Sequence, residues 1–299
     1  MKILLTGKNG QVGFELNKKL SSLGEIIAID REVLDLSNSD AIRHFIDQIR
    51  PDIIINPAAY TSVDKAESES NIAFQINSIA PQILAEKAEE LNIPLIHFST
   101  DYVFDGFKKE AYIETDQTNP LSVYGKTKCE GEERVRNYCK HIILRTSWVF
   151  GSHGKNFLKT IFRLLQEKER INVISDQYGS PTSASLLSDV TLNIVNKIFI
   201  NKDFDDFGTY HITCDGSINW HQYAIFLAQE AVNLGLILRC GLNQIYPISS
   251  IDYPTTASRP LNSKLNCEKL KQTFMLELPH WQDEVKRTLK EIIKINERY

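Results

Sequence analysis

Three glycines near the amino terminus constrain the fold of this chain more than any other feature. Gly7, Gly10 and Gly13 follow an apolar run at Lys2–Thr6 and stand where a helical pattern begins, at Gln11. Glycines in such a strand–loop–helix connection allow a tight turn and let the backbone approach a pyrophosphate, which the free N–H groups of the helix then bind. The spacing therefore predicts a dinucleotide-binding loop in an α/β protein.

The first half of the chain repeats this alternation of strand and helix. The further apolar runs are Glu25–Ile29, Asp52–Asn56, Pro94–Ser99 and His141–Arg145. The helical patterns between the runs are Gln11–Leu23, Ser39–Ile49, Asn71–Leu91 and Val123–Asn137. Runs that are apolar throughout are typical of strands buried on both faces, and strands joined through helices run parallel. The sequence predicts a Rossmann-type, doubly wound parallel sheet.

The second half is richer in loops and predicts a smaller substrate-binding lobe. Helical patterns at Asn156–Glu167, Ser183–Asn196, Trp220–Leu234 and Trp281–Ile293 alternate with short apolar runs near Ile171–Ile174 and Thr209–Thr213. We expect an NAD(P)-binding domain over residues 1–148. Residues 149–299 are expected to form mainly the substrate lobe, interleaved with the sheet.

Charge and cysteine content limit the partners and the compartment. With 34 basic and 38 acidic residues the chain has a net charge of −4 and no basic block, so neither nucleic acid nor a membrane surface is an expected partner. The longest apolar stretches fall short of the roughly 18 residues of a membrane span. The five cysteines are odd in number and form no CxxC pair, which predicts a reduced, cytoplasmic protein without a zinc site.

The end of the second predicted strand leaves the choice of cofactor open. Asp30 can bind a ribose 2′-hydroxyl and Arg31 can bind a 2′-phosphate, while Asp35 follows a few residues later. Both residue types are present, so NADH and NADPH are equally compatible with the sequence.

A threonine, a tyrosine and a lysine point to carbonyl reduction. Tyr124 and Lys128 are four residues apart on one face of a predicted helix, and Thr100 follows the fourth predicted strand, where such sheets bind ligands. A nearby ammonium is expected to lower the pKa of the tyrosine and make the phenol a usable general acid, while the threonine polarises a carbonyl. The trio predicts reduction of a ketone beside a nicotinamide.

Seven blocks of sequence resemble the dTDP-4-dehydrorhamnose reductase family of extended short-chain dehydrogenases/reductases. They are distributed along essentially the whole length of the chain, and the last three go beyond a general dinucleotide signature. The blocks are Ile3–Gly13, Asn56–Glu67, Ser99–Gly106, Tyr124–Lys128, Leu144–Gly151, Asp176–Thr182 and Ala257–Ser263. The resemblance implies NAD(P)H-dependent reduction of the 4-keto group of dTDP-4-dehydro-β-L-rhamnose to dTDP-L-rhamnose, the last step of dTDP-rhamnose biosynthesis.

The resemblance and the residue chemistry together give a set of expected site residues. Tyr124 is the expected proton donor, with Lys128 and Thr100 as its partners. The expected cofactor-binding residues are Gly7, Gly10, Gln11, Val12, Gly13, Asp30, Arg31, Asp35, Leu36, Ala59, Tyr60, Thr61, Tyr124 and Lys128. The expected substrate-binding residues are Thr100, Asp101, Tyr102, Trp148 and Arg259, the last because a guanidinium suits a diphosphate.

Several sequence features could have either a binding role or a structural role. Asp176–Gly179 could line the nucleotide pocket or form a structural turn, and Trp220, Trp281 and the seven histidines have no ligand spacing, so packing roles are expected for them. Some relatives carry a metal at a subunit contact through glutamates. Glu15 could correspond to one of these, but a single carboxylate is weak support for a magnesium site. A homodimer is a further implication.

Two other functions are compatible with the same fold. One relative of this family regulates methionine adenosyltransferase without catalysis, which makes a regulatory subunit the main alternative; retention of Thr100, Tyr124 and Lys128 argues against it. The other is reduction of a related dTDP-6-deoxy-4-ketohexose or of a GDP-sugar.

Overall fold

A six-stranded parallel sheet forms the centre of the protein, in a computed structural model that describes residues 1–296. The strand order is β2-β1-β3-β4-β5-β10. The strands within residues 1–296 are β1 Lys2–Leu5, β2 Glu25–Ala28, β3 Ile53–Asn56, β4 Leu95–Thr100, β5 His141–Thr146, β6 Val149–Phe150, β7 Ile171–Ile174, β8 Tyr178–Gly179, β9 Thr182–Ser183, β10 Gly208–His211, β11 Ile218–Asn219 and β12 Ile245–Ile248. The predicted fold class is confirmed.

Helices cover both faces of this sheet. They are α1 Gln11–Leu20, α2 Ser39–Ile49, α3 Val63–Ala66, α4 Ser70–Phe74, α5 Ala80–Leu91, α6 Val123–Val135, α7 Phe157–Glu167, α8 Ala184–Ile200, α9 Trp220–Asn233, α10 Glu268–Phe274 and α11 Trp281–Asn296. Alternate strand residues enter opposite cores: Leu5 and Ile55 join one apolar cluster, whereas Leu4 and Ile54 join the other. Burial of both faces explains why the strands are apolar throughout.

The structure adds three features to the predicted elements. The pattern predicted as one helix over Asn71–Leu91 is divided, because a π-helical turn at Gln75–Ile79 separates α4 from α5. The strand predicted near Thr209–Thr213 is β10, which pairs with β5 at the edge of the main sheet. Three strand pairs outside that sheet, β6 with β9, β7 with β12 and β8 with β11, organise the second half.

The two halves of the chain share one core. Helix α8 packs on α1, and residues from both halves belong to the larger apolar cluster. The division at residue 148 therefore stays a prediction about function. None of the helices within residues 1–296 is long and apolar enough to cross a membrane.

Candidate active site

A cleft of about 760 Å³ runs along the carboxyl ends of β1 to β5. This edge, where β1 lies between β2 and β3, is the place at which doubly wound sheets bind nucleotides. Every predicted site residue except Arg259 lines the cleft. The lining includes Gly7, Gly10, Gln11, Val12, Gly13, Asp30, Arg31, Asp35, Leu36, Ala59, Tyr60, Thr61, Thr100, Asp101, Tyr102, Tyr124, Lys128 and Trp148.

The glycine loop leaves the amino terminus of α1 open toward the cleft. Gly7 has a φ of +62°, which favours glycine, and a Cβ on Gly13 would lie 2.1 Å from the Gly7 carbonyl oxygen. Gly10 caps α1 without a side-chain hydrogen bond, and the first turn of α1 carries no acidic residue. The free N–H groups of this turn can therefore bind an anion such as a pyrophosphate.

Several charged side chains lie close together at the end of the cleft beside β2. Asp30 is bound by Lys8 at 3.1 Å and by the Asn9 amide at 3.0 Å. The hydrogen bond from Lys8 is the main reason that the pKa of Asp30 lies below its usual range. Arg31 is largely exposed and reaches Asp35 at 3.4 Å. Asp30, an acceptor for a ribose hydroxyl, and the exposed guanidinium of Arg31, which suits a phosphate, therefore lie side by side.

Helix α6 carries the predicted proton donor into the cleft. Ser122 caps the helix by accepting a hydrogen bond from the Gly125 N–H at 3.1 Å. Gly125 permits close packing, since a Cβ there would lie 2.3 Å from the Tyr102 carbonyl oxygen. The Tyr124 ring consequently meets the Tyr102 ring edge-on, with centroids 5.5 Å apart.

The acid–base groups differ from the expected arrangement in one respect. Burial raises the pKa of Tyr124 to about 12, against the opposing effect of a hydrogen bond with Thr100. The expectation of a lowered pKa is wrong, because the effect of burial is larger, and the Lys128 Nζ donates to the Phe98 carbonyl at 2.6 Å. Burial also lowers the pKa of Lys128 to about 8 and raises that of Asp101 to about 6.

Three buried polar atoms of the cleft are available to a ligand. Five buried side-chain polar atoms within residues 1–296 have no hydrogen-bond partner, and three of these, Ser99 Oγ, Asp101 Oδ2 and Thr146 Oγ1, belong to residues of the cleft lining. The other two, Asn193 Oδ1 and Tyr223 OH, lie outside the lining. Since buried polar groups normally have partners, the three atoms in the cleft are suited to hydrogen-bond a polar ligand.

Trp148 lines the cleft from a strained backbone. The residue has a φ of +49°, which is rare for a bulky side chain and common at functional sites. Its indole stacks on Trp220 with ring centroids 3.3 Å apart and lies so close to Gly179 that a Cβ there would be 2.5 Å from the ring. Trp220 packs against the core, as expected, and also supports Trp148 from behind.

Arg259 lies outside the cleft lining. Its guanidinium donates to both carboxylate oxygens of Asp64, at 2.7 and 3.2 Å. Asp64 belongs to α3, next to the lining residue Val63, so the arginine is close to the rim. Asp176 accepts hydrogen bonds from Ser249 and Ser250, which favours the structural-turn interpretation of that segment.

Sequence reasoning missed two sets of buried polar residues beside the site. Glu132, eight residues after Tyr124 on the same helix face, receives two hydrogen bonds from Arg145 on β5, at 2.9 and 2.7 Å. His97 on β4 lies 3.3 Å from the Lys128 Nζ. A polar residue inside an otherwise apolar strand run was the available signal for both His97 and Arg145.

The acidic residues offer no metal centre within the described part of the chain. No group of three or more histidine, cysteine, aspartate or glutamate side chains among residues 1–296 is arranged to hold a metal ion. Glu15, on α1, therefore gains no support as a magnesium ligand.

Comparison with known proteins identifies the family. The family model described as RmlD substrate binding domain matches residues 1–294. The dTDP-4-dehydrorhamnose reductase of Escherichia coli K12 is 46% identical over 297 residues, with 98% of each chain covered.

Solved structures agree with this match. A dTDP-4-dehydrorhamnose reductase from Clostridium acetobutylicum has a TM-score of 0.90 at 35% identity, covering 98% of this chain and 99% of the other. The Bacillus anthracis protein of the same name, in complex with NADP, has a TM-score of 0.87 at 34% identity, covering 97% and 99%. The resemblance inferred from the seven blocks is confirmed: the chain belongs to the dTDP-4-dehydrorhamnose reductase family of oxidoreductases.

Proposed function

We propose that this protein reduces the 4-keto group of dTDP-4-dehydro-β-L-rhamnose with NADPH or NADH, giving dTDP-L-rhamnose. The observation that carries the proposal is the convergence of Thr100, Tyr124 and Lys128 in one nucleotide cleft. The names of the relatives support this reaction and give no support to a regulatory subunit of methionine adenosyltransferase.

The residues of the cleft fit a nicotinamide dinucleotide. The open amino terminus of α1 would hold the pyrophosphate, with Gln11 and Val12 in its first turn. Asp30, Arg31, Asp35 and Leu36 would surround the adenosine, and Ala59–Thr61 would border the cofactor after β3. When bound, the reduced cofactor supplies a hydride to the substrate carbon.

The protein's own side chains supply the proton and polarise the carbonyl. Tyr124 is neutral at pH 7 because its pKa is about 12, so its hydroxyl carries the proton that the carbonyl oxygen needs as the carbon gains a hydride. Thr100, whose hydroxyl donates to Asp101 Oδ1 at 3.0 Å, would redirect this hydrogen bond to the carbonyl and polarise it. Lys128 as an ammonium would bind a ribose hydroxyl of the cofactor and stabilise the phenolate that remains on Tyr124.

The sugar and the nucleotide occupy the part of the cleft that faces the second half of the chain. Trp148 would cover the apolar side of the deoxysugar, while Asp101 and Tyr102 contact its hydroxyls. Arg259 would leave Asp64 to bind the diphosphate. We also propose that residues 1–148 mainly bind the cofactor and that residues 149–299 form mainly the substrate lobe, to which Thr100, Asp101, Tyr102 and Trp148 contribute from the first half.

The test is a coupled assay with purified protein. dTDP-4-dehydro-6-deoxyglucose, a 3,5-epimerase and NADPH or NADH are supplied, and loss of nicotinamide absorbance is followed together with the sugar product. A GDP-linked 4-keto sugar is the control for nucleotide choice. Absence of turnover, with NADPH binding retained, would favour a non-catalytic regulator, and turnover of the GDP-sugar would redirect the substrate assignment.

We also propose a reducing, cytoplasmic location and a homodimer. All five cysteines are free thiols, four of them buried, which supports the location. The homodimer rests on the family resemblance alone and is tested by the mass of the protein in solution.

A further inference from the structure

A chain of hydrogen bonds crosses three strands of the sheet and ends at Lys128. The Thr6 hydroxyl donates to Asn56 Oδ1 at 2.6 Å, and the Asn56 amide contacts His97 Nδ1 at 3.0 Å. His97 Nε2 then lies 3.3 Å from Lys128 Nζ. Each of the four side chains is at most 2% exposed, so water does not compete for these contacts. The chain joins the end of β1 to helix α6 through β3 and β4.

The direction in which these hydrogen bonds donate follows from Thr6 and Asn56. The Ala58 N–H donates to Thr6 Oγ1 at 3.2 Å, so the threonine passes its own proton on to Asn56 Oδ1. Since the Asn56 oxygen is an acceptor there, its NH₂ group is the donor to His97 Nδ1. A neutral imidazole that accepts at Nδ1 carries its proton on Nε2. The Nε2–H group of His97 therefore points at Lys128 when the lysine is a neutral amine.

This direction disfavours the charged form of Lys128. An ammonium has no lone pair and cannot accept from His97, whereas a neutral amine can. With Lys128 charged, the chain must reverse, which requires Nδ1–H on His97 and a turned Asn56 amide. The Thr6 hydroxyl proton then loses its acceptor.

Apart from His97, burial and the Glu132 carboxylate act on the charge of Lys128 within the described residues. Burial disfavours its charge and the Glu132 carboxylate, one turn further along α6, favours it. Glu132 is itself paired with Arg145 from β5. From β4, the Phe98 carbonyl accepts from Nζ, and burial together with the charge of Lys128 keeps the pKa of His97 well below its usual value, so His97 stays neutral.

We propose that Thr6, Asn56 and His97 form a directional hydrogen-bond chain that positions Lys128 and sets the pH at which the lysine loses its charge. His97 is thus a positioning residue that acts through Lys128. The inference rests on the proposed role of Lys128 in reduction. It gives the cofactor loop, which follows Thr6 directly, a physical link to the acid–base helix.

The first experiment compares Thr6→Val with Thr6→Ser across pH. Thr6→Val removes the donor to Asn56 and lets the amide turn, so His97 Nε2 can accept from the ammonium. We expect the alkaline limb of kcat/KM to move up by roughly half a unit to one unit, the equivalent of one hydrogen bond. Thr6→Ser keeps the donor and should retain the wild-type limb. Identical limbs in Thr6→Val and wild type would overturn the proposal.

The second experiment separates positioning from general destabilisation. His97→Phe should lower kcat/KM about tenfold and change the pH profile, since Lys128 loses its neighbour. His211→Phe is the matched control, because His211 is equally buried but contacts Arg145, at 3.4 Å, rather than Lys128. We expect His211→Phe to lower thermal stability without moving the alkaline limb. Equal effects of both variants on the pH profile would show a merely structural role.

The third experiment observes the tautomer directly. Nitrogen-15 spectra of the cofactor-free enzyme at a pH above the pKa of Lys128, which is about 8, should show a proton on His97 Nε2, with the His97 signal assigned by its loss in His97→Phe. A proton on Nδ1 at that pH would overturn the assigned direction.

The activity of Lys128→Met is measured in the kcat/KM assay used for Thr6→Val. Full activity would remove the proposed role of Lys128 itself. Loss of activity together with an unshifted alkaline limb in Thr6→Val would reject the hydrogen-bond chain alone.

Discussion

Tyr124, the proposed proton donor, shows at the scale of one residue how burial keeps a phenol protonated. A phenol with a pKa of about 12 keeps its proton at neutral pH until an alkoxide forms beside it. We expect Tyr124→Phe to lower kcat by about 10²–10⁴-fold, the usual contribution of a general acid, with NADPH affinity nearly unchanged. Steady-state kinetics and cofactor titration check this. Tyr138→Phe, a buried tyrosine that donates to the Ile93 carbonyl instead, should retain activity.

The three glycines of the cofactor loop are not equivalent. A Cβ on Gly13 would overlap the Gly7 carbonyl at 2.1 Å, whereas one on Gly10 would meet the same oxygen at 3.3 Å. We expect Gly13→Ala to weaken NADPH binding at least tenfold, because the loop must open to accept the methyl group, and Gly10→Ala to have a smaller effect. Fluorescence titration measures both. Equal affinities for the two variants would contradict the geometry.

Trp148 combines a packing role with its proposed contact to the sugar. Because its indole stacks on Trp220, we expect Trp148→Ala to raise the substrate KM and also to lower the melting temperature. The loss of stability should stay below the ~3–5 kcal/mol of a fully buried aromatic side chain. Trp148→Phe retains a stacked ring and should preserve most of the stability while KM still rises. A change in melting temperature alone would exclude Trp148 from the substrate site.

At the scale of elements, the buried Glu132–Arg145 pair fixes helix α6 to β5. Glu132 lies on the helix face of Tyr124 and Lys128. Burial raises the pKa of the glutamate, but the hydrogen bonds and charge of Arg145, together with the charge of Arg136, keep it below its usual value. The stabilisation is therefore present above the pKa of the unfolded state and is lost as pH falls through the folded value.

Removal of one charge from that pair should destabilise the protein strongly. Glu132→Gln leaves Arg145 buried without its counter-ion, so we expect the free energy of unfolding to fall by about 3–5 kcal/mol at pH 7. Urea unfolding measures the change. Glu133→Gln, at the exposed neighbouring position, is the control and should have little effect. Equal stability of both variants would show that the pair contributes nothing.

The secondary-structure elements also show which parts of the fold could be predicted from the sequence. Apolar runs identified the first five strands of the sheet because burial on both faces leaves a local signature. The π-helical turn at Gln75–Ile79 has no such signature: there the Asn77 side chain binds both backbone groups of Tyr60, distant in sequence. Likewise, the glycine and tyrosine spacing located the cleft, while the His97 contact with Lys128 depends on the register of β4 beneath α6.

At the scale of the whole molecule, the two halves are expected to unfold together. β10 completes the main sheet and α8 packs on α1, so the first half alone would expose the edge of β5 and part of the core. We expect a single urea transition. Trp148, Trp220 and Trp281, all at or beyond residue 148, report the second half by fluorescence, and circular dichroism reports the whole chain. Separate transitions would mean two autonomous domains.

The stacked indoles of Trp148 and Trp220 have a consequence for optical spectroscopy. Two indole chromophores whose planes are 11° apart and in contact couple their excited states, so the far-ultraviolet dichroism of the native protein should contain a paired positive and negative band. Trp220→Phe would abolish this couplet, while Trp281, which packs on Phe226 with ring centroids 4.8 Å apart, would remain in place. If the sugar binds against Trp148 as proposed, it should alter the angle between the two indole rings, and the couplet would then report occupancy of the sugar pocket without label or turnover.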